Sequence, residues 1–263
     1  MLPPITSMKD AYSVKGFNVA ITGGAKGIGR GIGQAFAELG ANIAILDINK
    51  EIGDQEAEKI KRLGVQCFAT YCDVTDLKSV KKAAEETFKQ FGHLDVLVNN
   101  AGVTKGGKFF DMDEELSDFY HVVHIDLHGM VNSTYHFGKR MRDSGRGGSI
   151  ISITSIYGQT TPETFYTSGY NVSKAGVDHF TRSMAIELAP YDIRVNAVAP
   201  GFTHSNFSMT PDKEELRKSK TPLGRFGEPL EVGALCVFLA SPAATQITGS
   251  VYRIDGGYAS NNN

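Results

Sequence analysis

Short apolar runs alternate with longer amphipathic stretches along the chain. Seven apolar runs predict β-strands: Phe17–Thr22, Asn42–Leu46, Gln66–Tyr71, Leu94–Val98, Ser149–Thr154, Arg194–Val198 and Ser250–Ile254. Five stretches between them predict helices: Gly27–Leu39, Lys50–Leu63, Asp76–Phe91, Glu114–Met141 and Tyr170–Leu188. Several runs are apolar at consecutive positions, as in strands that helices cover on both faces. The pattern predicts one α/β domain over residues 1–263, with a doubly wound, seven-stranded parallel sheet.

Composition narrows the class of protein without identifying it. The net charge of -2 gives no support for nucleic-acid binding, which normally needs a basic face. No run approaches the about 18 apolar residues of a membrane span, and the N-terminal stretch lacks the apolar core of a signal peptide. The three cysteines have no metal-ligand spacing and indicate reduced thiols. We therefore expect a cytoplasmic protein with neither a nucleic-acid nor a membrane partner.

A glycine cluster follows the first predicted strand and opens the first predicted helix. Its glycines are Gly23, Gly27 and Gly29, with Lys26 and Ile28 between them. Such a turn lets the backbone approach a pyrophosphate while the helix N-terminus faces the anion. The alternative is an ordinary flexible turn, but its place after the first strand favours a dinucleotide site.

An acidic residue ends the second predicted strand at the position where dinucleotide-binding folds bind ribose. Asp47 lies 18 residues beyond Gly29, near the usual offset of about 20. Its carboxylate would repel a 2′-phosphate, which favours NAD, whereas Lys26 could attract that phosphate and leaves NADP possible. The alternative role for Asp47 is an N-cap of the next helix.

Polar residues also follow the third and fourth predicted strands. Asp73 could hydrogen-bond an adenine amine, and Asn99, Ala101 and Gly102 could line the cofactor cleft. The alternatives are a helix cap for Asp73 and a simple turn for the second group.

Tyr170 and Lys174 lie one helical turn apart, and Ser155 follows the fifth predicted strand. A phenol titrates near pH ~10, and a neighbouring ammonium together with an oxidised nicotinamide would favour its ionised form. The phenol could then exchange a proton with an alcohol while hydride moves. Ser155 would orient the reacting oxygen, and Lys174 would also reach the ribose.

The same spacing occurs a second time in the chain, at Tyr135 and Lys139. That pair lies within a long predicted helix, with no serine or strand end near it. We interpret it as a surface pair of that helix.

Five motifs resemble those of the short-chain dehydrogenase/reductase family, in the family's order: Thr22–Gly29, Asn99–Gly102, Ser155 with Tyr170 and Lys174, Pro200–Gly201, and Ile254–Gly257. The resemblance runs from about Phe17 to Tyr258. It implies a Rossmann-like sheet, nicotinamide-dependent interconversion of alcohols and carbonyls, and a homotetramer or dimer. It also extends the cofactor site to Pro200, Gly201, Thr203 and Ser205, the last in place of a nicotinamide-binding threonine.

The chain departs from the family pattern at two further places. Asp126 stands where the family usually has a catalytic asparagine, and it adds a negative charge near Lys174. Ser155 and Tyr170 are separated by 15 residues, whereas 13 is commoner in the family. The longer loop, within Thr160–Ser168, resembles that of members acting on sugar alcohols and ketoses.

Three histidines and one loop complete the candidate features. His121, His124 and His128 share one helix face, but no carboxylate or thiolate completes a metal site, so we expect none and expect contact with a neighbouring helix or subunit. Residues 202–226 combine prolines, Gly224 and a charged centre, which is typical of a lid over the substrate or of an exposed excursion.

These observations predict an NAD(P)-dependent oxidoreductase, with NAD preferred, acting on a secondary alcohol or ketone. The predicted substrate is a small polyol or ketose. Alternative substrates are a 3-oxoacyl thioester and a hydroxysteroid. An alternative of another class is a non-catalytic NAD-binding scaffold or sensor, which Asp126 brings into consideration.

Overall fold

The computed structural model describes residues 5, 7–8, 10–161, 166–205 and 210–261. Seven strands form one sheet: β1 (Asn18–Thr22), β2 (Asn42–Asp47), β3 (Cys67–Tyr71), β4 (Val96–Asn99), β5 (Gly148–Ile153), β6 (Ile193–Pro200) and β7 (Val251–Ile254). Every strand pair is parallel, and the order across the sheet is β3-β2-β1-β4-β5-β6-β7. The predicted doubly wound, seven-stranded parallel sheet is confirmed.

Helices connect the strands: α1 (Gly27–Glu38), α2 (Lys50–Lys61), α3 (Leu77–Phe91), α4 (residues 117–144), α5 (Ser168–Leu188), α6 (Pro211–Lys220), α7 (Pro229–Ala240) and the short α8 (Tyr258–Asn261). Apolar side chains of α1, α2 and α7 pack on one face of the sheet. Those of α3, α4 and α5 pack on the other. Both faces of the central strands are therefore buried, which explains why their sequences are apolar at consecutive positions.

Helix α4 differs from its predicted form at its start and in its interior. The prediction began at Glu114, but the helix begins at Ser117 because Leu116 has a left-handed backbone, with φ of 52°. Two π-helical turns interrupt it, at His124–His128 and Thr134–Gly138. Such turns shift the face that each side chain presents and occur often at functional sites.

Strands β2 and β3 lie on one side of β1, and strands β4 to β7 lie on the other side. The strand order therefore reverses between β1 and β4. In open sheets of this kind, ligands bind outside the carboxyl ends of the strands at this switch point. Within the described part of the chain, no helix has both the length and the apolar character needed to cross a membrane.

Candidate active site

The glycine loop lies at the carboxyl end of β1 and is closely packed against the end of β4. Gly23 has φ of 63°, and a Cβ there would lie 2.9 Å from the Cα of Ala101. A Cβ on Gly29 would lie 2.2 Å from the carbonyl oxygen of Gly23. Only glycine fits these two positions. The loop then leads into α1, which begins at Gly27, so the helix N-terminus faces the cleft.

Asn100, which the sequence analysis included only as a member of the Asn99–Gly102 motif, holds the glycine loop in place. Its side-chain amide donates hydrogen bonds to the carbonyl oxygens of Thr22 and Gly23, both at 3.0 Å. The backbone N–H groups of Asn100 and Ala101 donate to the Thr22 hydroxyl at 3.0 and 3.1 Å. The sequence signal for this role was the second asparagine of the Asn-Asn pair. The signal did not identify its hydrogen-bond partners, which are 77 and 78 positions away in sequence.

The carboxylate of Asp47 accepts two backbone hydrogen bonds. Oδ2 accepts from the Ala25 N–H at 3.0 Å, and Oδ1 accepts from the Asn49 N–H at 2.9 Å. The N-cap of α2 is Asn49, whose side chain accepts from the Ile52 N–H, so the alternative role of Asp47 as that N-cap is wrong. Lys26 is exposed at the N-cap position of α1.

Asp73 and Asn99 make their side-chain contacts within the protein. Asp73 accepts from the Thr75 N–H at 2.9 Å and from the Thr75 hydroxyl at 2.7 Å. The Asn99 amide is buried and donates to the Thr134 hydroxyl at 2.9 Å. The N-cap of α3 is Asp76, not Asp73. Any contact of Asn99 with a ligand would have to use its backbone.

The first turns of α5 bring Tyr170 and Lys174 to the carboxyl end of β5, the strand that Ser155 follows. Ser155 follows β5, and its hydroxyl accepts a hydrogen bond from the Tyr157 N–H at 3.2 Å. Tyr170 lies in the first turn of α5, and the ammonium of Lys174 is 5.3 Å from the centre of its ring. The Lys174 ammonium also donates to the Ile153 carbonyl oxygen, at 3.2 Å, which links α5 to β5.

Asp126 forms a buried ion pair with Lys174. Its Oδ2 lies 3.1 Å from the ammonium, with the carboxylate side chain fully buried and that of Lys174 5% exposed. Oδ1 accepts a hydrogen bond from the Val103 N–H at 2.8 Å, next to Gly102. Burial is the largest single effect on the pKa of Lys174 and lowers it, but Asp126, Tyr170 and Asp178 together outweigh burial and raise that pKa. Lys174 is therefore a charged group in a dry environment.

The other Tyr–Lys pair has a different environment. Tyr135 is 58% exposed and Lys139 is also exposed, within α4 and on its outer surface. This agrees with its interpretation as a surface pair.

His121, His124 and His128 are exposed on α4. The rings of His124 and His128 lie 5.0 Å apart. The described residues contain no group of three or more histidine, cysteine or acidic side chains arranged to hold a metal.

The segment after β6 crosses towards the glycine loop. Gly201 follows Pro200 and packs against Asp255, so a Cβ there would lie 2.8 Å from the Asp255 Cα. Thr203 pairs with Gly227 in an isolated parallel bridge, and Ser205 lies 3.7 Å from the Cβ position of Gly27. The expected lid, residues 202–226, contains α6, and its positions 206–209 lie outside the described residues.

Comparisons with known proteins agree with this geometry. A family model described as enoyl-(acyl carrier protein) reductase matches residues 23–259. The 3-oxoacyl-(acyl-carrier-protein) reductase FabG of Thermotoga maritima is 39% identical, over 90% of this chain and 95% of that protein. The sorbose reductase of Candida albicans is 34% identical, over 96% of this chain and 90% of that protein.

Solved structures show the same architecture. A short-chain type dehydrogenase/reductase from Mycobacterium marinum superimposes with a TM-score of 0.91 at 34% identity, covering 96% of this chain and 99% of that one. A 7α-hydroxysteroid dehydrogenase, solved with NADH and a 7-oxo bile acid, has a TM-score of 0.89 at 32% identity and covers 96% and 98%. Fold, matched length and sequence identity together lead to one conclusion: the chain belongs to the short-chain dehydrogenase/reductase family and is an NAD(P)-dependent oxidoreductase acting on alcohol or carbonyl groups.

Proposed function

We propose that hydride passes between a bound nicotinamide and a secondary alcohol or ketone, with Tyr170 as the general acid–base. One observation carries this assignment: the buried ammonium of Lys174 lies 5.3 Å from the centre of the Tyr170 ring and 3.2 Å from the carbonyl oxygen of Ile153, at the carboxyl end of the strand that precedes Ser155. This is the end of the strands at which the sheet topology predicts a ligand.

Each side chain has a distinct role in this proposal. When bound, the dinucleotide supplies the hydride acceptor or donor. Ser155 donates a hydrogen bond to the substrate oxygen and holds it near the Tyr170 phenol, which gains or loses the proton. Lys174 provides a positive charge beside that phenol and binds the ribose. Asp126 is a positioning residue, because it contacts Lys174 and the Val103 backbone.

The cofactor site fits a dinucleotide with NAD preferred. A pyrophosphate needs close backbone approach at a helix N-terminus, and the positions of Gly23 and Gly29 have no room for a side chain. The Asp47 carboxylate lies beside that loop, at the Ala25 N–H, where its charge would oppose a 2′-phosphate. We assign the remaining cofactor contacts to the previously predicted residues: Lys26, Gly27, Ile28, Asp73, Asn99, Ala101, Gly102, Pro200, Gly201, Thr203 and Ser205.

The proposed substrate is a small polyol or ketose. The name of the Candida albicans relative, a sorbose reductase, supports this class, as does the separation of Ser155 and Tyr170. A second candidate is a 3-oxoacyl thioester, favoured by the description of the matching family model and by the name of the Thermotoga maritima relative. The 7α-hydroxysteroid dehydrogenase structure supports keeping hydroxysteroids among the substrates to be tested.

We further propose a cytoplasmic homotetramer, or a dimer, and a lid formed by residues 202–226. Exposed apolar and aromatic side chains on α4 and α5 support association, because Tyr120, Tyr135, Val172 and Ile186 are each more than half exposed in the single chain. Light scattering of the purified protein would test this, since a monomer at micromolar concentration would contradict it.

The function is tested by a screen of polyols, ketoses, acyl thioesters and steroids with each cofactor. Turnover is followed by the absorbance of NADH or NADPH. Tyr170→Phe should abolish turnover of the best substrate while NADH still binds. Tyr135→Phe is the matched control, because it removes the same hydroxyl from the other Tyr–Lys pair, on the surface of α4. A protein that binds NADH but turns over nothing, and that is unaffected by Tyr170→Phe, would be the scaffold of the alternative prediction.

A further inference from the structure

A cluster of aromatic side chains lies next to Ser155. Tyr157 donates its backbone N–H to the Ser155 hydroxyl, and its ring lies 6.2 Å from the ring of Phe202. Phe202 in turn contacts Tyr258 at 5.0 Å and Phe226 at 5.5 Å between ring centres. Residues from four separate parts of the chain therefore form one aromatic wall beside the reacting groups.

Two cations lie on this wall. The ammonium of Lys218 lies 5.9 Å from the centre of the Phe226 ring. Arg217, from α6 in the expected lid, places its guanidinium carbon 4.6 Å from the centre of the Phe202 ring. Its side chain is partly buried, and burial lowers the pKa of Arg217, with the phenols of Tyr157 and Tyr258 acting in the opposite direction. The phenols of Tyr157 and Tyr258 are hydrogen bonded to each other. Burial raises the pKa of Tyr157, so the Tyr157 phenol stays neutral. The wall therefore places the partly desolvated guanidinium of Arg217 beside the neutral phenol of Tyr157.

This combination is suited to a compact anionic group. The N–H donors of an arginine lie in the plane of the guanidinium and match the oxygens of a carboxylate or phosphate, while an aromatic face supports the cation. Partial removal from water strengthens the attraction between opposite charges. Arg217 lies on the Phe202 ring, that ring is 6.2 Å from the ring of Tyr157, and the Tyr157 N–H donates to the Ser155 hydroxyl. Two aromatic residues therefore connect the guanidinium to the serine that is proposed to orient the substrate.

We propose that Arg217 determines substrate specificity by binding a carboxylate or phosphate carried by the alcohol or ketone. The inference rests on the proposed function and narrows its substrate class, from polyols and ketoses in general to ketones and alcohols that bear an acidic group. The anion would lie against the aromatic wall, and the reacting carbon would lie at Ser155 and Tyr170.

Two pairs of ketones, each with one neutral and one anionic member, test whether the enzyme prefers an anionic substrate. Fructose is compared with fructose 6-phosphate, and methyl levulinate with levulinate, in NADH-dependent reduction. Within at least one pair, we expect the anionic member to have a kcat/KM higher by about 10- to 100-fold, the range for a hydrogen-bonded charge pair. Preference in only one pair identifies phosphate or carboxylate as the group bound. No preference for the anion in either pair would overturn the proposal.

Substitutions on α6 locate the effect. Arg217→Met should remove the preference, mainly by raising the KM of the anionic ketone, and should change kcat/KM of the neutral ketone far less. Arg217→Lys should keep part of the preference, because it retains the charge without the planar fork. Lys213→Met is the matched control: it removes one positive charge from an exposed side chain of the same helix. This control should leave the preference intact.

The remaining outcomes are also decisive. If Arg217→Met lowers kcat/KM equally for both members of a pair, the arginine only packs the lid and the specificity role is wrong. If no ketone is reduced with either cofactor, the hydride-transfer function itself is wrong. The two failures are therefore distinguishable, because the first leaves NADH oxidation with neutral ketones measurable.

Discussion

The buried ion pair between Asp126 and Lys174 predicts a large loss of stability when its acid is neutralised. In Asp126→Asn the side chain keeps its size, and its carbonyl oxygen can still accept from the Val103 N–H, which is 2.8 Å from Oδ1. The Lys174 ammonium, whose side chain is 5% exposed, is left without its counter-charge. Removing one partner of a buried pair typically costs about 3–5 kcal/mol, because the other charge stays buried.

We expect Asp126→Asn to lose at least the lower end of that range, because its one amide oxygen accepts from the Val103 N–H and its NH2 group then faces the ammonium. For a domain of this size, 1 kcal/mol shifts the thermal midpoint by roughly 2–4 °C, so a loss of about 3 kcal/mol corresponds to about 6–12 °C. The assay is thermal unfolding at neutral pH followed by circular dichroism. The matched control is Asp54→Asn, which breaks the pair with Lys50 at 2.7 Å, where both side chains are about half exposed.

The control should cost less than about 1 kcal/mol, because water screens an exposed pair. Equal shifts for Asp126→Asn and Asp54→Asn would refute the reasoning, since burial would then have no effect.

The dependence of this stabilisation on pH has a fixed sign. Because the folded-state pKa of Lys174 is raised, the stabilisation is fully present below the ordinary lysine value of about 10.4. It is lost only as the pH rises through the higher folded-state pKa.

Three further predictions concern the cofactor site and one buried thiol. Gly29→Ala should abolish measurable NADH binding by calorimetry, because its Cβ would lie 2.2 Å from the Gly23 carbonyl oxygen; Gly33→Ala, whose nearest contact would be 3.5 Å away, should not. Asp47→Asn should raise the kcat/KM ratio of NADP to NAD at least about 10-fold by removing a like charge, and an unchanged ratio would remove Asp47 from the ribose site. Cys72, whose pKa burial raises to about 12, should resist alkylation at pH 8 until the protein is unfolded, and rapid labelling of the folded protein would contradict this.

The sheet could be predicted from the sequence because each strand carries its own signal. All seven predicted strands are present, with ends that differ by no more than two residues. Burial of both faces of a strand produces consecutive apolar positions. That pattern can be identified in the sequence of each strand without knowing which strands lie beside it. The π-helical turns of α4 could not be predicted, because one extra residue in a turn barely changes a helical pattern.

The site was predictable where chemistry requires a fixed local spacing and unpredictable where it depends on distant contacts. Tyr170 and Lys174 are neighbours on one helix, so their spacing indicates a pair. The individual roles of Asn100 and Arg217 were missed because their partners, Gly23 and Phe202, are fixed by the packing of separate elements. The charge of Asp126 near Lys174 was expected, but its complete burial and direct 3.1 Å pairing required the structure.

The central claim, that Tyr170 serves a hydride transfer, is tested most directly by following the hydride itself. NADH carrying deuterium at nicotinamide C4 is incubated with the protein and the best ketone from the screen, and the product is analysed by mass spectrometry. The account predicts deuterium on the carbinol carbon from one face of the nicotinamide. It also predicts loss of transfer in Tyr170→Phe with NADH binding retained. Undiminished transfer in Tyr170→Phe, or product without deuterium from either face, would contradict it.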